Sequence, residues 1–163
     1  MFNQIVVDIR KKRNQKAITR NLIMDQMMKS VETPQWMLDL FKAIDALDMF
    51  PTSGFAIFAD EIEMVFGNNL VKGIAEVKKF FVTFDTPFKT VHNVTRVWQV
   101  ANAFVMQGSA DMLKKGFGPE TTFHMSPLFN VIWLDERGKV VRYVVTFPPE
   151  AEQTAAKQWP GKK

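Results

Sequence analysis

Two periodicities divide the chain. Trp36, Met37, Leu40, Phe41, Ile44 and Leu47 recur at the spacing of a helix that buries one face. Thr33-Pro34 predicts its start, with Thr as N-cap and Pro at the first helical position, where a missing N–H costs nothing. Pro51-Thr52-Ser53-Gly54 predicts a break with Ser or Thr as the next cap, and Phe55–Ala59 a short helix carrying Phe55 and Phe58. Glu61–Phe66 switches to period two, with Ile62, Met64 and Phe66 on one face and Glu61 and Glu63 on the other, a half-buried strand. Gly67-Asn68-Asn69 is turn chemistry. Val71–Phe84 then predicts another helix, with Ile74, Val77, Phe80, Phe81 and Phe84 inward.

Phe88 to Phe147 predicts four antiparallel strands, Phe88–Trp98, Val100–Ala110, Thr121–Leu134 and Lys139–Phe147. Asp135-Glu136-Arg137-Gly138 closes the last pair, Gly tolerating the positive φ of a tight turn. The third strand places Phe123, Met125, Phe129, Val131 and Trp133 on one face and His124, Ser126, Leu128, Asn130 and Ile132 on the other. Pro127 cannot donate to a ladder, so a bulge or bend is expected there. One apolar face and one mixed face imply a sheet covered on both sides, by helices and by a partner subunit, with the mixed face able to line a pocket. The two glycines of Lys114–Pro119 sit in no phosphate-binding pattern, and the segment reads as a loop. The order of elements gives an α+β fold, a curved sheet backed by helices.

Composition narrows the function classes. The chain has 163 residues, 47% of them apolar, and fifteen Phe, enough for one domain with a real core. With no Cys and two His, thiol chemistry and disulfides are excluded, and a His-rich metal centre is not expected; no cofactor is. Absence of Cys fits a cytoplasmic setting, and neither a signal sequence nor a membrane span is read. Residues 1–30 hold seven Lys/Arg against Asp8 and Asp25, a local +5 that leaves −1 of the total +4 for residues 31–163. The basicity therefore belongs to the leader, and nucleic-acid binding by the sheet is not expected. Residues 1–32 read as a basic extension, possessing a rough helical stripe over Ala17–Val31 that docks on the body or a partner, the alternative being a tether to an anionic surface or to nucleic acid. Residues 33–148 form the domain, and 149–163 a polar tail in which Trp159 is available to dock back.

Several short patterns sharpen the fold. Phe41-x3-Asp45-x2-Asp48, Phe58-Ala59-Asp60-Glu61, Gly73 before an apolar helix, Val91-His92-Asn93-Val94 and Leu134-Asp135-Glu136-Arg137-Gly138-Lys139-Val140-Val141 occur in that order. Over about Pro34–Phe147 the chain thereby resembles the SnoaL-like polyketide cyclase group of the ketosteroid isomerase and nuclear transport factor 2-like superfamily. The resemblance implies a cone-shaped α+β barrel of the cystatin-like kind, its curved mixed or antiparallel sheet wrapped around the N-terminal helices. It also implies a deep apolar pocket and a homodimer formed through the outer sheet face.

That superfamily hosts many chemistries on one fold, so activity must be argued from residues. Where steroid isomerases carry a Tyr and two Asp, this chain reads Phe41, Phe66 or Gly67, and Asn130; where limonene-type epoxide hydrolases need a carboxylate on the last strand, the nearest match is Val145. Scytalone dehydratase is similar in part: Asp45, His92 and Asn130 stand at comparable positions, its second His has no counterpart, and its pocket tyrosines read Ile44 and Phe66. His92 is then the candidate acid/base, Asp45 the group fixing its tautomer or holding a water, and Asn130 the donor to a developing oxyanion. The structural alternative is a satisfied strand histidine, a flank charge and an amide bonded to backbone. His124 shares a register with Asn130 and lies either at the pocket mouth or in solvent near the strand start. Phe41, Phe58, Met64, Phe66, Phe81, Leu128 and Val145 are expected to line a cavity for a small hydrophobic molecule. Two functions fit: a cofactor-free lyase or isomerase of the dehydratase or cyclase type, acting on a hydrophobic carbonyl compound, and a non-catalytic ligand-binding or dimeric interaction module.

Overall fold

The alternating run builds most of one sheet. In the computed structural model, which describes residues 28–146, the chain runs β1 (Lys29–Val31), α1 (Gln35–Ala46), a 3₁₀ turn (Gly54–Ile57), β2 (Phe58–Phe66), β3 (Asn69–Lys72), α2 (Ile74–Asp85), β4 (Phe88–Val100), β5 (Ala103–Lys114), a second 3₁₀ turn (Pro119–Thr121), β6 (Phe123–Leu134) and β7 (Val140–Thr146). The seven strands form one mixed sheet in the order β1-β4-β5-β6-β7-β2-β3. Among the described residues only β2 and β7 pair in parallel. The sheet is open, with β1 and β3 at its edges, a curved mixed sheet wrapped around the helices as the resemblance implied.

Both helices cover the inner face. α1 buries Met37, Leu40, Phe41, Ala43 and Ile44, and α2 buries Val77, Phe80, Phe81, Phe84 and Asp85. They meet Val97, Met106, Ile132 and Tyr143 from the strands, all at most 2% exposed. Removal of this apolar area from water is what holds helices and sheet together.

Boundaries differ from the pattern where backbone bonding outweighs side-chain periodicity. Helix α1 opens on the carbonyl of Pro34, which accepts from the N–H groups of Met37 and Leu38, so Thr33 is not its cap. Ser53 does cap the first 3₁₀ turn, its Oγ accepting from the Phe55 N–H at 3.2 Å. That turn ends at Ile57, and Phe58 and Ala59 belong to β2 instead of a short helix. Val71 and Lys72 pair with Met64 and Glu63 as β3; the helix expected from Val71 begins at Ile74, after Gly73 takes φ 82°. Lys29–Val31 pair with β4, correcting the end of the helix read over Ala17–Val31. The rest of the basic extension, Phe147, the polar tail and Trp159 lie outside the described residues.

The bend expected at Pro127 is real and changes the face assignment. Gly108 pairs with Leu128 and Ala110 with Met125, so β6 spends one more residue than β5 over this interval. Met125 therefore points inward with Leu128, Asn130 and Ile132, all buried, instead of sharing the face of Phe129, Val131 and Trp133. Gly108 is required at this bend, because a Cβ there would lie 2.1 Å from the Asn93 carbonyl oxygen. At Gly138, φ is 75°, as the hairpin required.

Candidate active site

Helix α1 presents Asp45 beside the inward stripe, next to Ile44, and so aims its carboxylate at β4. There it clamps one residue twice. Asp45 Oδ2 accepts the His92 backbone N–H at 2.9 Å, and Oδ1 lies 2.5 Å from His92 Nδ1. The two side chains are 22% and 13% exposed, so the pair is shielded from water without being sealed. With Nδ1–H donated to Asp45, a neutral imidazole keeps its lone pair on Nε2, the position a proton acceptor needs. Phe41, one turn before Asp45, stacks on the ring with centroids 5.0 Å apart at 24°.

A second carboxyl lies on the same side of the sheet. Asp85, the last residue of α2, is 4% exposed. The Thr90 hydroxyl donates to its Oδ1 at 3.0 Å. Burial pushes the Asp85 carboxyl up to about 6, opposed by the Thr90 hydrogen bond and the charge on His92; the Asp45 charge adds to the rise, and Lys115 opposes it. The negative end of the α2 dipole acts in the same direction as burial.

β6 and β7 supply the remaining polar groups. Asn130 is fully buried; its Nδ2 faces Met106 Sδ at 3.9 Å, a weak contact, and its Oδ1 has no hydrogen-bond partner. An unpaired buried acceptor costs about 1–3 kcal/mol, which a ligand hydroxyl or N–H would recover. Tyr143 is 2% exposed, and burial, with the charges of Asp85 and Asp45, holds its phenol protonated.

These groups share one cavity. His92, Asp85, Thr90, Asn130 and Tyr143 line it together with Phe66, Phe81, Phe84, Ala110, Met112, Met125, Leu128 and Val145. Its void is about 20 Å³, close to the room one water needs. The deep pocket implied by the resemblance is thus closed. A larger ligand has to displace lining side chains, for which unbranched Met112 and Met125 are suited. A wider groove of about 560 Å³ lies elsewhere, between α1 and the first 3₁₀ turn. Three of its polar side chains have partners in the protein, Asp39 in Gln35, Asp48 in the Phe50 N–H and Lys139 in the Ala56 carbonyl. It offers no convergent chemistry comparable to the smaller cavity.

Of the residues read from sequence, His92, Asn130, Phe66, Phe81, Leu128 and Val145 reach this cavity, and Asp45 reaches it through His92. Phe41 touches it by stacking on His92. Phe58 and Met64 do not line it; Phe58 packs on Phe55 and Tyr143, and Met64 is fully buried in the core. His124 faces away, 70% exposed and paired with Asp111 at 2.8 Å. Sequence reasoning missed Asp85, Thr90 and Tyr143. The available signal for Asp85 was its place four residues after Phe81, an acidic residue on an inward helical face. Among the described residues no cluster of three or more His, Asp or Glu is arranged to hold a metal, and no helix is long and apolar enough to cross a membrane.

No family model matches the chain, and no curated protein matches its sequence. Solved structures do. A Catenulispora acidiphila protein with a ketosteroid isomerase-like fold, in complex with trimethylamine, is similar at TM-score 0.63 and 12% identity, over 77% of this chain and 95% of that one. A Shewanella putrefaciens protein described as a SnoaL-like polyketide cyclase is similar at TM-score 0.61 and 14% identity, over 78% and 99%. An M. tuberculosis epoxide hydrolase of the limonene epoxide hydrolase-like kind is similar at 0.60 and 10%, over 77% and 89%. At these identities the likeness establishes the fold. The chain folds as the ketosteroid isomerase-like and SnoaL-like proteins do, an α+β cone of the nuclear transport factor 2-like type.

Proposed function

We propose that this is a cytoplasmic, cofactor-free proton-transfer enzyme of the lyase or isomerase type, acting on a small hydrophobic carbonyl compound. The observation that carries this reading is the Asp45–His92 pair at the wall of an apolar cavity that also holds an unpaired buried amide. His92 Nε2 takes a proton from the carbon next to the carbonyl. Asp45 stabilises the imidazolium that forms and holds the ring in one orientation. Asn130 has hydrogen-bonding capacity to spare at either end of its amide. Rotated half a turn, it donates Nδ2 to the carbonyl oxygen as charge develops there. Positioned acid–base catalysis of this kind contributes about 10²–10⁴-fold.

Exchange of the α-protons of pentan-2-one in D₂O, followed by proton NMR, tests the reading. The protein is expected to accelerate exchange and His92→Gln to abolish the acceleration while the protein stays folded. No acceleration by the unmutated protein, or full activity in His92→Gln, would remove the reading. The 20 Å³ void, too small for a ligand without rearrangement, favours a second one, in which the pair is structural and the protein is a non-catalytic interaction module. That reading expects no exchange.

The proposal includes a homodimer through the outer sheet face. Cross-strand neighbours Trp98, Val105, Val131, Val144, Val65 and Leu70 form one apolar row from β4 to β3. Leu70 at its end is 59% exposed. Such a row on a sheet face is the kind of surface a partner covers.

A further inference from the structure

The Asp45–His92 pair accounts for removing a proton and leaves Asp85 without a role. A carboxylate at the C-terminal end of α2, buried beside Phe81 and Phe84, contradicts local rules twice, by charge against the helix dipole and by burial. Such violations concentrate at functional sites. The position is also specific. Thr90, which holds Asp85, and His92 are two residues apart on β4 and share its inner face. Along the strand Thr90 and His92 are about 7 Å apart, and the carboxyl that Thr90 holds lines the same cavity as the imidazole, as an acid and a base acting on adjacent carbons of one β-hydroxy carbonyl compound must.

We propose that Asp85 is a second catalytic residue, the general acid that protonates a leaving hydroxyl while His92 removes the α-proton, so that the reaction class is elimination of water from a β-hydroxy carbonyl compound. The inference rests on the proton-transfer reading of His92. Because the Thr90 hydroxyl donates to Oδ1, the acidic proton of Asp85 resides on Oδ2. The groups whose charge acts on Asp85 are His92 on β4, Asp45 on α1 and Lys115 after β5; burial favours its neutral form. In the step itself the Cα–H bond breaks and its proton goes to His92 Nε2. The electron pair forms the carbon–carbon double bond. The Cβ–O bond breaks toward oxygen, which takes the Asp85 proton and leaves as water. The imidazolium then returns its proton to the Asp85 carboxylate through that water, and no oxidant or reductant is needed.

The test uses 4-hydroxypentan-2-one in D₂O, with deuteration at C3 and formation of pent-3-en-2-one read in one NMR tube. Unmutated protein is expected to accelerate both. Asp85→Asn is expected to lower the ratio of dehydration to exchange by about 10²-fold or more. Thr90→Val, which frees the carboxyl to turn, is expected to lower the same ratio by a smaller factor. Exchange without dehydration in the unmutated protein, or an unchanged ratio in a folded Asp85→Asn, would overturn the role of Asp85 and leave that of His92 intact. Failure of both exchange and dehydration would remove the His92 reading, and this inference with it.

Discussion

Replacement of Asp85 by Asn should make the protein more stable at alkaline pH and leave it nearly unchanged in acid. The side chain is buried, and its carboxyl rises from an ordinary value of 3.8 to about 6 on folding. At about 1.4 kcal/mol per pH unit, that shift corresponds to about 3 kcal/mol. The sign follows from proton counts. Between 3.8 and about 6 the folded protein holds this proton while the unfolded chain has lost it, so stability falls as pH rises through the window. Below the window both states are protonated and the residue is neutral in effect. Above it the folded state bears the full cost of a buried carboxylate. Asn cannot ionise, and its amide oxygen can still accept from the Thr90 hydroxyl. Urea unfolding at pH 4 and pH 8 is the assay. The gain of Asp85→Asn over the unmutated protein is expected to be only about 0.5 kcal/mol at pH 4, at the foot of the window, and to approach 3 kcal/mol at pH 8, or roughly 6–12 °C in Tm for a chain of this size. A gain of the same size at both pH values, or none at pH 8, would refute the assignment of a proton to Asp85. Stabilisation by a substitution that removes activity would itself fit a strained catalytic group.

Asp45→Asn weakens two charge-assisted hydrogen bonds to His92 and should cost about 1–3 kcal/mol in urea unfolding at pH 7, with α-proton exchange lowered as well; a loss below about 0.5 kcal/mol would mean the clamp contributes little. On the outer face, light scattering should give twice the 18.7 kDa chain mass, and Val131→Lys, which places a charge in the middle of the apolar row, should halve it. An unmutated protein of 18.7 kDa would remove the dimer.

The periodic apolar positions of the chain determined the kinds of element, their order and most of the core. Met37, Leu40 and Ile44 on α1, and Val77 and Phe81 on α2, are inward both by spacing and by burial. This holds because a helix or strand that must hide one face writes its period into the sequence. His92 and Asn130 could be singled out for the same reason, as polar residues interrupting or sharing an apolar face. What side-chain period cannot encode is where backbone pairing begins and shifts. β3 displaced the expected start of α2, and one extra residue in β6 turned Met125 inward. Contacts between distant segments were likewise decided only by tertiary structure. Asp45 and His92 are 47 residues apart in sequence, and their bond exists because α1 crosses β4 at that point. Phe58 and Met64 have the composition of pocket residues, yet packing put them into the core. Asp85 does not stand out from its neighbours in the sequence; only its burial beside Phe81, Phe84 and His92 pushes its carboxyl up to about 6.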